Sequence, residues 1–409
     1  MVGTTISELP DDLLIKILSY LSTEDAVVTM LLSKRWQSIW KMVPQLTYMD
    51  SDYKHRKKGS VWWFMDQSLQ LHKAPVIESL IIELGARCPV HNDVGNLPES
   101  FYICDKLVSL YVSDKILVDV PSPVCLPSLK TLSLESVVYK DEDSLVRFLS
   151  GCRILKHLYV ERHDQDNVTM FSVNVPSLET LCYIYMKLGV GNVGSLVIGS
   201  ATLKKLFIQD HSGNSCSIEN EPRLDYALVG LNCYLDDKFM ASLSSVMYLK
   251  LYLRSKTDPY CTSIKFSQLR TCTIRPFRIQ WLEPFMHFLQ NSPKLKVLRI
   301  DTSNIRHEGF PRLFNRQSSF PECLSAHLEI FEWKQYGGHY EEKEVVKYIL
   351  ANSKCLKRAR ISIESTTSGE DERRMRKELE SMYRVSPSSQ LLFSTQFKTV
   401  ISFQDVINL

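Results

Sequence analysis

Apolar residues recur at a helical period from Leu9 to about Val43. In the first stretch they stand one, three and four residues apart, which places them on one face of a helix. The side chains concerned are Leu13, Leu14, Ile17, Leu18 and Leu21. Ser22 or Thr23 can cap a second helix, and Trp36 lies in a third short one. Three helices in so few residues form a small core, so the pattern predicts a partner that covers their apolar face.

A second pattern begins near residue 75, where a phrase of the form L-x-x-L-x-L recurs every 21 to 33 residues, near the range of leucine-rich repeats. Clear copies are Leu107/Leu110/Val112, Leu129/Leu132/Leu134, Leu155/Leu158/Val160, Leu178/Leu181/Tyr183 and Leu203/Leu206/Ile208. Less regular copies follow at Val246/Leu249/Leu251, Leu269/Cys272/Ile274, Leu295/Leu298/Ile300, Leu328/Phe331/Trp333 and Leu356/Ala359/Ile361. The gap after Ile208 predicts a degenerate copy near Leu224, Ala227 and Val229.

Each phrase predicts one short strand, because its last two apolar residues alternate on the side that faces the core. One repeat cannot bury its apolar side alone, so neighbouring repeats are expected to stack into a continuous core. The segments SLVRFLSGC and EPFMHFLQNS predict helices that return the chain on the opposite side. The expected architecture is therefore a solenoid of mixed helix and strand.

Residues on the outward side of these strands are free to bind a partner. They are Tyr111, Ser133, Tyr159, Cys182, Phe207, Tyr252, Thr273, Arg299, Glu332 and Arg360. Aromatic residues and arginine are enriched at protein-binding hot spots, which makes four of them candidate substrate contacts. These candidates are Tyr159, Phe207, Tyr252 and Arg299. The alternative is that a Tyr or Phe at such a position only shields its neighbours.

Composition excludes several classes of protein. With 409 residues, 44% of them hydrophobic, the chain exceeds the usual size of a single core. The 49 basic and 46 acidic side chains leave a net charge of only +3, which gives no broad attraction for nucleic acid or anionic membrane. The 11 cysteines lie singly, and no signal peptide or apolar run of membrane-spanning length occurs. We expect reduced thiols and a cytosolic or nuclear location. The basic run 54–58 is expected to be a solvated linker, or else a nuclear-import signal.

The segment ISELPDDLLIKILSYLSTEDAVVTMLLSKRWQSIW closely resembles the plant F-box, which opens with LPDDLL and closes with LSKRW. It departs at Ser22, where many relatives have proline, and at Gln37, where a basic residue is common. The resemblance implies docking onto the Skp-type adaptor of a cullin-RING ubiquitin ligase. Residues at the apolar positions of the motif are the expected contacts, although some will pack the domain's own core. They are Leu9, Pro10, Leu13, Leu14, Ile17, Leu18, Val27, Val28, Leu32 and Trp36.

The repeat LPSLKTLSLESVVYKDEDSLVRFLSGCRILKHLYVER and the later segment beginning PECLSAHLEIFEWKQYGG resemble plant F-box/FBD/LRR-repeat proteins. The implied fold is an α+β chain with an N-terminal three-helix F-box, an irregular leucine-rich-repeat horseshoe and a C-terminal FBD module. The implied boundaries are 6–46 for the F-box, 47–74 for a linker and connecting helix, 75–315 for the repeats, 316–393 for the FBD module and 394–409 for a tail. Between Gly85 and Leu97 relatives usually have a further helix and strand, so a first repeat is expected to be absent.

Catalytic signatures are weak. Residues 189–194 spell G-x-G-x-x-G, but the following SLVIGSATLKKLFI indicates strand and turn where a dinucleotide site needs a helix. No GxSxG, P-loop or HExxH motif occurs, and we expect no catalytic residue, metal or cofactor. The favoured hypothesis is a substrate-recognition adaptor of an SCF-type ubiquitin ligase, whose repeats bind an unknown protein. A repeat scaffold without ubiquitination is the alternative, and a nucleotide-dependent enzyme at the glycine loop is a third.

Overall fold

The computed structural model describes residues 6–49, 61–83, 95–97, 99–113, 116–163, 166, 168–187, 194–233, 237–253, 264–277, 281–303, 320–365 and 367–393. The chain divides into two compact units, Met1–Tyr185 and Met186–Leu409. The basic run 54–58, most of the segment 85–97, the first five residues of the glycine motif and the tail 394–409 lie outside the described residues.

The described part of the first unit contains the α-helices α1 (Asp11–Leu18), α2 (Thr23–Val28), α3 (Trp36–Ile39), α4 (Val61–Leu71) and α5 (Glu142–Ser150), besides short 3-10 turns. Its strands are β1 (Gln45–Met49), β2 (Ser79–Glu83), β3 (Gly95–Asn96), β4 (Ser109–Ser113), β5 (Ile116–Val118), β6 (Thr131–Glu135), β7 (Val138–Tyr139), β8 (His157–Glu161), β9 (Met170–Val173) and β10 (Thr180–Tyr185). These helices and strands are the ones formed by the described residues of this unit.

The described part of the second unit contains α6 (Asp237–Leu243), α7 (Leu282–Gln290), α8 (Glu322–Ala326), α9 (Tyr340–Asn352) and α10 (Gly369–Ser381). Its strands are β11 (Ser195–Ile198), β12 (Lys205–Asp210), β13 (Ser215–Ile218), β14 (Tyr226–Leu231), β15 (Tyr248–Leu253), β16 (Thr271–Pro276), β17 (Val297–Asp301), β18 (Ile330–Tyr336), β19 (Arg358–Ile363) and β20 (Gln390–Phe393). The fold is therefore mixed helix and sheet.

The N-terminal helices fold as the sequence pattern predicts. Ser22 caps α2, because its Oγ accepts a hydrogen bond of 3.1 Å from the backbone N–H of Asp25. Arg35 joins the ends of the domain, since its Nε donates to Asp11 Oδ1 at 3.0 Å. The buried core consists of Leu14, Leu18, Ala26, Trp36, Ile39, Trp40 and Val43.

Hydrogen bonds connect these helices directly to strand β1 and to the segment that leads into β2. The N–H of Thr47 donates to Thr23 Oγ1 at 2.7 Å, and the N–H of Ala74 donates to the carbonyl of Lys41 at 3.0 Å. The N–H of Glu78 donates to the carbonyl of Pro44 at 2.7 Å. Helix α4 lies within the segment 47–74, for which a linker and a connecting helix were expected, and strand β1 overlaps the start of that segment.

In the first unit, parallel strands pair in the order β1-β2-β4-β6-β8-β10, one strand from each repeat. The register places leucines of successive phrases side by side: Leu132 pairs with Leu158, and Leu158 with Leu181. All three side chains are fully buried. The predicted stacking of repeat phrases is confirmed for these copies, and so is the predicted helix α5.

In the second unit, parallel strands pair in the order β12-β14-β15-β16-β17-β18-β19-β20. The degenerate copy after Ile208 is confirmed, because β14 buries Ala227 and Val229 and pairs with both neighbours. Helix α7 is confirmed at the predicted segment. Strand β11 begins at Ser195, so the element that follows the glycine motif is a strand, as predicted.

Candidate partner-binding surfaces

The N-terminal helical domain exposes apolar side chains although its own core is filled. Leu13 and Ile17 lie on the outer side of α1 and are 44% and 38% exposed. Val28 at the end of α2 and Leu32 after it are 47% and 64% exposed. Further exposed apolar side chains of the domain are Tyr20, Leu21, Met30 and Leu31. This concentration of exposed apolar groups within about 20 residues is typical of a partner surface.

The ten predicted adaptor contacts divide into two groups in the structure. Leu14, Leu18 and Trp36 are fully buried in the domain core, and Leu9 and Val27 are half-buried against it. The exposed ones are Pro10, Leu13, Ile17, Val28 and Leu32. The expectation that part of the set packs the domain's own core is therefore confirmed, while contact of the exposed part with an adaptor stays a prediction.

The outward strand face of the first unit carries hydroxyl and acidic groups. Tyr159 is half-buried, and its hydroxyl donates a hydrogen bond of 3.0 Å to Glu161 Oε2. Burial, followed by the charge of Glu161, raises the pKa of Tyr159 well above its ordinary value. Ser133 donates similarly to Glu135 Oε1 at 3.1 Å, and Glu135 pairs in register with Glu161. Of the four candidates, Tyr159 therefore keeps part of its ring available.

Aromatic rings stack across the outward face of β12, β14 and β15 in the second unit. The rings of Phe207 and Tyr226 stack at 4.8 Å between centroids, and Tyr226 and Tyr248 at 6.3 Å. Phe207 is consequently only 5% exposed, whereas Tyr248 is 47% exposed. The prediction that Phe207 projects freely is wrong, because Tyr226 on the next strand covers its ring.

Tyr252 is also covered by its neighbours. Its side chain lies on the outward face of β15 and is 5% exposed. The ring passes close to Gly230, where a Cβ atom would come within 3.3 Å of Tyr252 Cδ2. Gln209 Nε2 and an Arg275 guanidinium nitrogen donate to the Tyr252 hydroxyl at 2.9 and 3.1 Å. The predicted exposure of Tyr252 is therefore wrong as well.

Two carboxylates, each between two cations, organise the outward face of β16 to β19. Glu332 accepts from Arg299 Nε at 2.6 Å and from Arg360 at 3.1 Å. Asp301 lies 3.4 Å from Arg275 and 3.7 Å from the Lys334 ammonium. The side chain of Arg299 is 44% exposed, so this fourth candidate does face solvent. The sequence carried a signal for the Glu332 cluster, because three successive repeats place Arg, Glu and Arg at one equivalent position.

Other chemistry is sparse in the part of the chain that the structure describes. No group of three His, Cys, Asp or Glu side chains there could hold a metal ion. The nine described cysteines are free thiols, and burial raises the pKa of Cys152, Cys182 and Cys323 to about 12. No described helix combines the length and the apolar character that crossing a membrane requires.

Comparison with known proteins accounts for this arrangement. Sequence profiles match at residues 6–47 for the F-box domain, 128–153 for a leucine-rich repeat and 316–361 for FBD. A protein of Arabidopsis thaliana named as an FBD-associated F-box protein is 43% identical over 95% of this chain and 97% of its own length. The chain belongs to the plant F-box/FBD/LRR-repeat family. A second Arabidopsis thaliana relative, named as an F-box/FBD/LRR-repeat protein, is 42% identical over 97% of this chain and 92% of its own length.

The matched ranges show which domain contains each of the surfaces described above. The exposed apolar residues Leu13, Ile17, Val28 and Leu32 belong to the F-box domain, and strand β18 with helix α9 belongs to the FBD match. The matched FBD segment includes Glu332 and Arg360, and the ion cluster connects this segment to Arg299 on strand β17, which precedes it. An F-box domain together with leucine-rich repeats implies an adaptor-type protein.

Proposed function

We propose that this F-box/FBD/LRR-repeat protein is the substrate-recognition adaptor of an SCF-type ubiquitin ligase. In this proposal the F-box binds a Skp-type adaptor, and the outward strand faces of the repeats and FBD module bind the protein to be ubiquitinated. The repeats form an irregular horseshoe of the kind that the family resemblance implies. Ubiquitin transfer is accelerated because both proteins are held on one scaffold, which raises their local concentration.

The observation that carries the proposal is the exposed apolar surface of a domain whose core is already complete. Burial of Leu14, Leu18 and Trp36 leaves Leu13, Ile17 and Leu32 with no role in the domain's own packing core. Full burial of a leucine or isoleucine side chain contributes about 1.5 to 3 kcal/mol, and these side chains are about half exposed before binding. Several such contacts together supply the free energy of a stable complex.

The test replaces the three exposed residues and leaves the core intact. We expect Leu13→Ala/Ile17→Ala/Leu32→Ala to weaken binding of the full chain to a purified Skp-type adaptor by about 100-fold or more. The unfolding midpoint should stay near that of the wild type, because none of the three residues is buried. Leu14→Ala, by contrast, should lower the midpoint, because it removes a fully buried side chain.

The matched control removes exposed apolar side chains from elsewhere in the first unit. Val146→Ala/Ile154→Ala/Met170→Ala replaces residues that are 48%, 40% and 56% exposed, and it should bind the adaptor as well as the wild type. Full-strength binding by the F-box triple variant, measured by calorimetry, would rule out this surface as the adaptor site. Co-purification of adaptor without any cullin would instead favour a scaffold that takes no part in ubiquitination.

A further inference from the structure

The outward strand face of the second unit carries more cations than its own carboxylates can neutralise. We call the cations on β15 to β19 the basic face: Lys250, Arg275, Arg299, Lys334, Arg358 and Arg360. Among the described strand residues of this face, the acidic groups are Asp301 and Glu332, and each lies between two of the cations. Six positive and two negative charges leave an excess of four positive charges.

This excess is local and does not follow from the composition of the chain. The net charge of the whole chain is only +3, so the positive and negative charges of the remaining residues nearly cancel. On the described outward strand positions of the first unit, the formally charged residues are Glu83, Glu135 and Glu161, all acidic. Like charges on neighbouring strands repel one another, so concentrated positive charge costs stability unless a bound group of opposite charge offsets it.

From these charges we propose that the basic face binds an acidic segment of the substrate, in extended conformation and rich in Asp and Glu. The inference rests on the proposed function, and it specifies the chemical class of substrate segment that the repeats bind. Neighbouring strands lie about 4.8 Å apart, so the basic face extends about 19 Å from β15 to β19. An extended peptide of about six residues spans this length, and one of about eight residues reaches past it at both ends.

The spread of the cations favours several carboxylates over a single phosphate. A phosphate site brings several donors to one point. Here Arg299 and Arg360 are each turned towards Glu332, and Arg275 and Lys334 towards Asp301. A guanidinium has five N–H donors and an ammonium three, so each cation has more donors than its contact with Glu332 or Asp301 uses.

Aromatic rings at the β14–β15 edge extend the same surface. Tyr248, 47% exposed, stacks on Tyr226, and the charge of Arg299 acts on the Tyr226 hydroxyl. Burial raises the pKa of Tyr226, and the charge of Arg299 opposes that rise. Tyrosine rings on the same outward face as the cations supply apolar contact area in addition to the charges that select the partner.

The test uses a fluorescein-labelled peptide of about eight residues in which Glu and Gly alternate, so that all carboxylates point to one side. Fluorescence anisotropy with the full chain should show binding that weakens steeply with added salt. The variant Lys250→Gln/Arg299→Gln/Arg358→Gln should bind about tenfold or more weakly. It leaves Glu332 paired with Arg360 and leaves the Asp301 cluster unchanged, so the fold is preserved.

A matched triple variant removes the same charge away from this face. Lys238→Gln/Lys294→Gln/Lys354→Gln replaces three exposed lysines of helix α6 and of turns, and its affinity should stay within about twofold of the wild type. Equal affinity of both triple variants would overturn the proposal, as would equal binding of a peptide with Gln in place of Glu. Tighter binding of a peptide with one phosphoserine, or of single-stranded RNA of equal length, would also overturn it.

The same samples separate this inference from the proposed function. Capture of the Skp-type adaptor with no peptide binding would reject the basic face and leave the adaptor role standing. Peptide binding without adaptor capture would reject the ligase role and leave the basic face as the binding surface of another kind of protein.

Discussion

Gly151, which follows helix α5, occupies a position where a side chain does not fit. A Cβ atom there would lie 2.4 Å from Val124 Cγ1 and 3.0 Å from the backbone carbonyl carbon of Val124. We expect Gly151→Ala to destabilise the protein by about 1 to 3 kcal/mol, because the neighbouring backbone must move. The measurement is the urea unfolding midpoint of the full chain.

Gly369, the first residue of α10, is the control, since a Cβ atom there meets nothing within 4 Å. Gly369→Ala should leave stability unchanged or raise it by up to about 1 kcal/mol, because alanine is the better helix residue. If both alanine variants unfold at the same urea concentration, the close approach of Val124 is not a real constraint.

A buried ion pair holds the loop after β8. The side chains of Arg162 and Asp166 are 1% and 0% exposed, and Arg162 Nε donates to Asp166 Oδ2 at 2.7 Å. The guanidinium also lies over the rings of Phe171 and Tyr185 at 5.1 and 4.3 Å. Arg162→Met should lower the free energy of unfolding by about 3 to 5 kcal/mol, because it leaves the Asp166 carboxylate buried without its counter-charge.

The double variant Arg162→Met/Asp166→Asn tests this explanation. Asparagine keeps an oxygen that can accept from the Val168 N–H, which now donates to Asp166 Oδ1 at 2.8 Å, and it carries no charge. The double variant should therefore be more stable than Arg162→Met in thermal unfolding. A double variant that is less stable than the single one would show that lost packing dominates, and not the orphaned charge.

At the residue scale, the sequence pattern predicts which side of the sheet a strand residue faces, but not which neighbouring side chains bury it. Alternation along β12 and β15 correctly put Phe207 and Tyr252 on the outward face, because successive side chains of a strand point to opposite sides. Their burial depends on residues 19 to 22 positions away: Tyr226 stacks on one, and Gly230 leaves room for the other. Arg299 stays exposed because a long charged side chain keeps its end in water.

At the scale of elements, helix α9 begins at a buried carboxyl group. Glu342 is almost fully buried, and one of its oxygens accepts from the backbone N–H groups of Gly337 and His339 at 3.0 and 3.1 Å. Burial raises the pKa of Glu342 to about 7, against the lowering effect of these hydrogen bonds. The capping box at His339 thus uses a carboxyl group that takes up a proton near neutral pH.

Stability should consequently fall as the pH rises towards neutrality. Between pH 4.5 and about 7 the folded protein keeps a proton on Glu342 that the unfolded chain has lost. The unfolding free energy should therefore decrease across this window by up to about 3 kcal/mol and change little above it. In Glu342→Gln this contribution is absent, because glutamine does not titrate. Parallel stability profiles for wild type and variant between about pH 5 and 7.5 would contradict this assignment.

The elements themselves followed largely from periodicity. The recurring repeat phrase predicted the degenerate strand β14, since burial on one side imposes the same pattern on every repeat. The segments SLVRFLSGC and EPFMHFLQNS predicted α5 and α7 as the helices that return the chain. Strand β1 escaped prediction because its segment QLTYM lacks the full repeat phrase and lies across the expected boundary between the F-box and the linker. Its pairing with β2 depends on contacts with residues more than 30 positions away, which no local pattern shows.

At the scale of the whole molecule, the F-box and the first repeats form one folded body within the first unit. The Thr23 hydroxyl that accepts from the Thr47 N–H is buried, so its loss should lower the free energy of unfolding by about 1 to 3 kcal/mol. Thr23→Val should therefore increase hydrogen exchange at Thr47 and at neighbouring amides of β1. Thr23→Ser keeps the hydroxyl and should retain most of the protection. Unchanged exchange in Thr23→Val would mean that the two parts do not depend on this contact.

The N–H groups of Ala74 and Glu78 donate to the carbonyls of Lys41 and Pro44, and these hydrogen bonds bear on a common experiment. In that experiment the F-box is removed, so that the truncated protein still binds its substrate but no longer binds the ligase. Cutting this chain before Gln45 would strip the covering helices from strand β1 and uncover its edge. If the truncated protein aggregates or is degraded in cells, the cause would then be the exposure of strand β1 and not the loss of ligase binding. Substitutions on the surface of α1 separate the two effects, because they leave that strand protected.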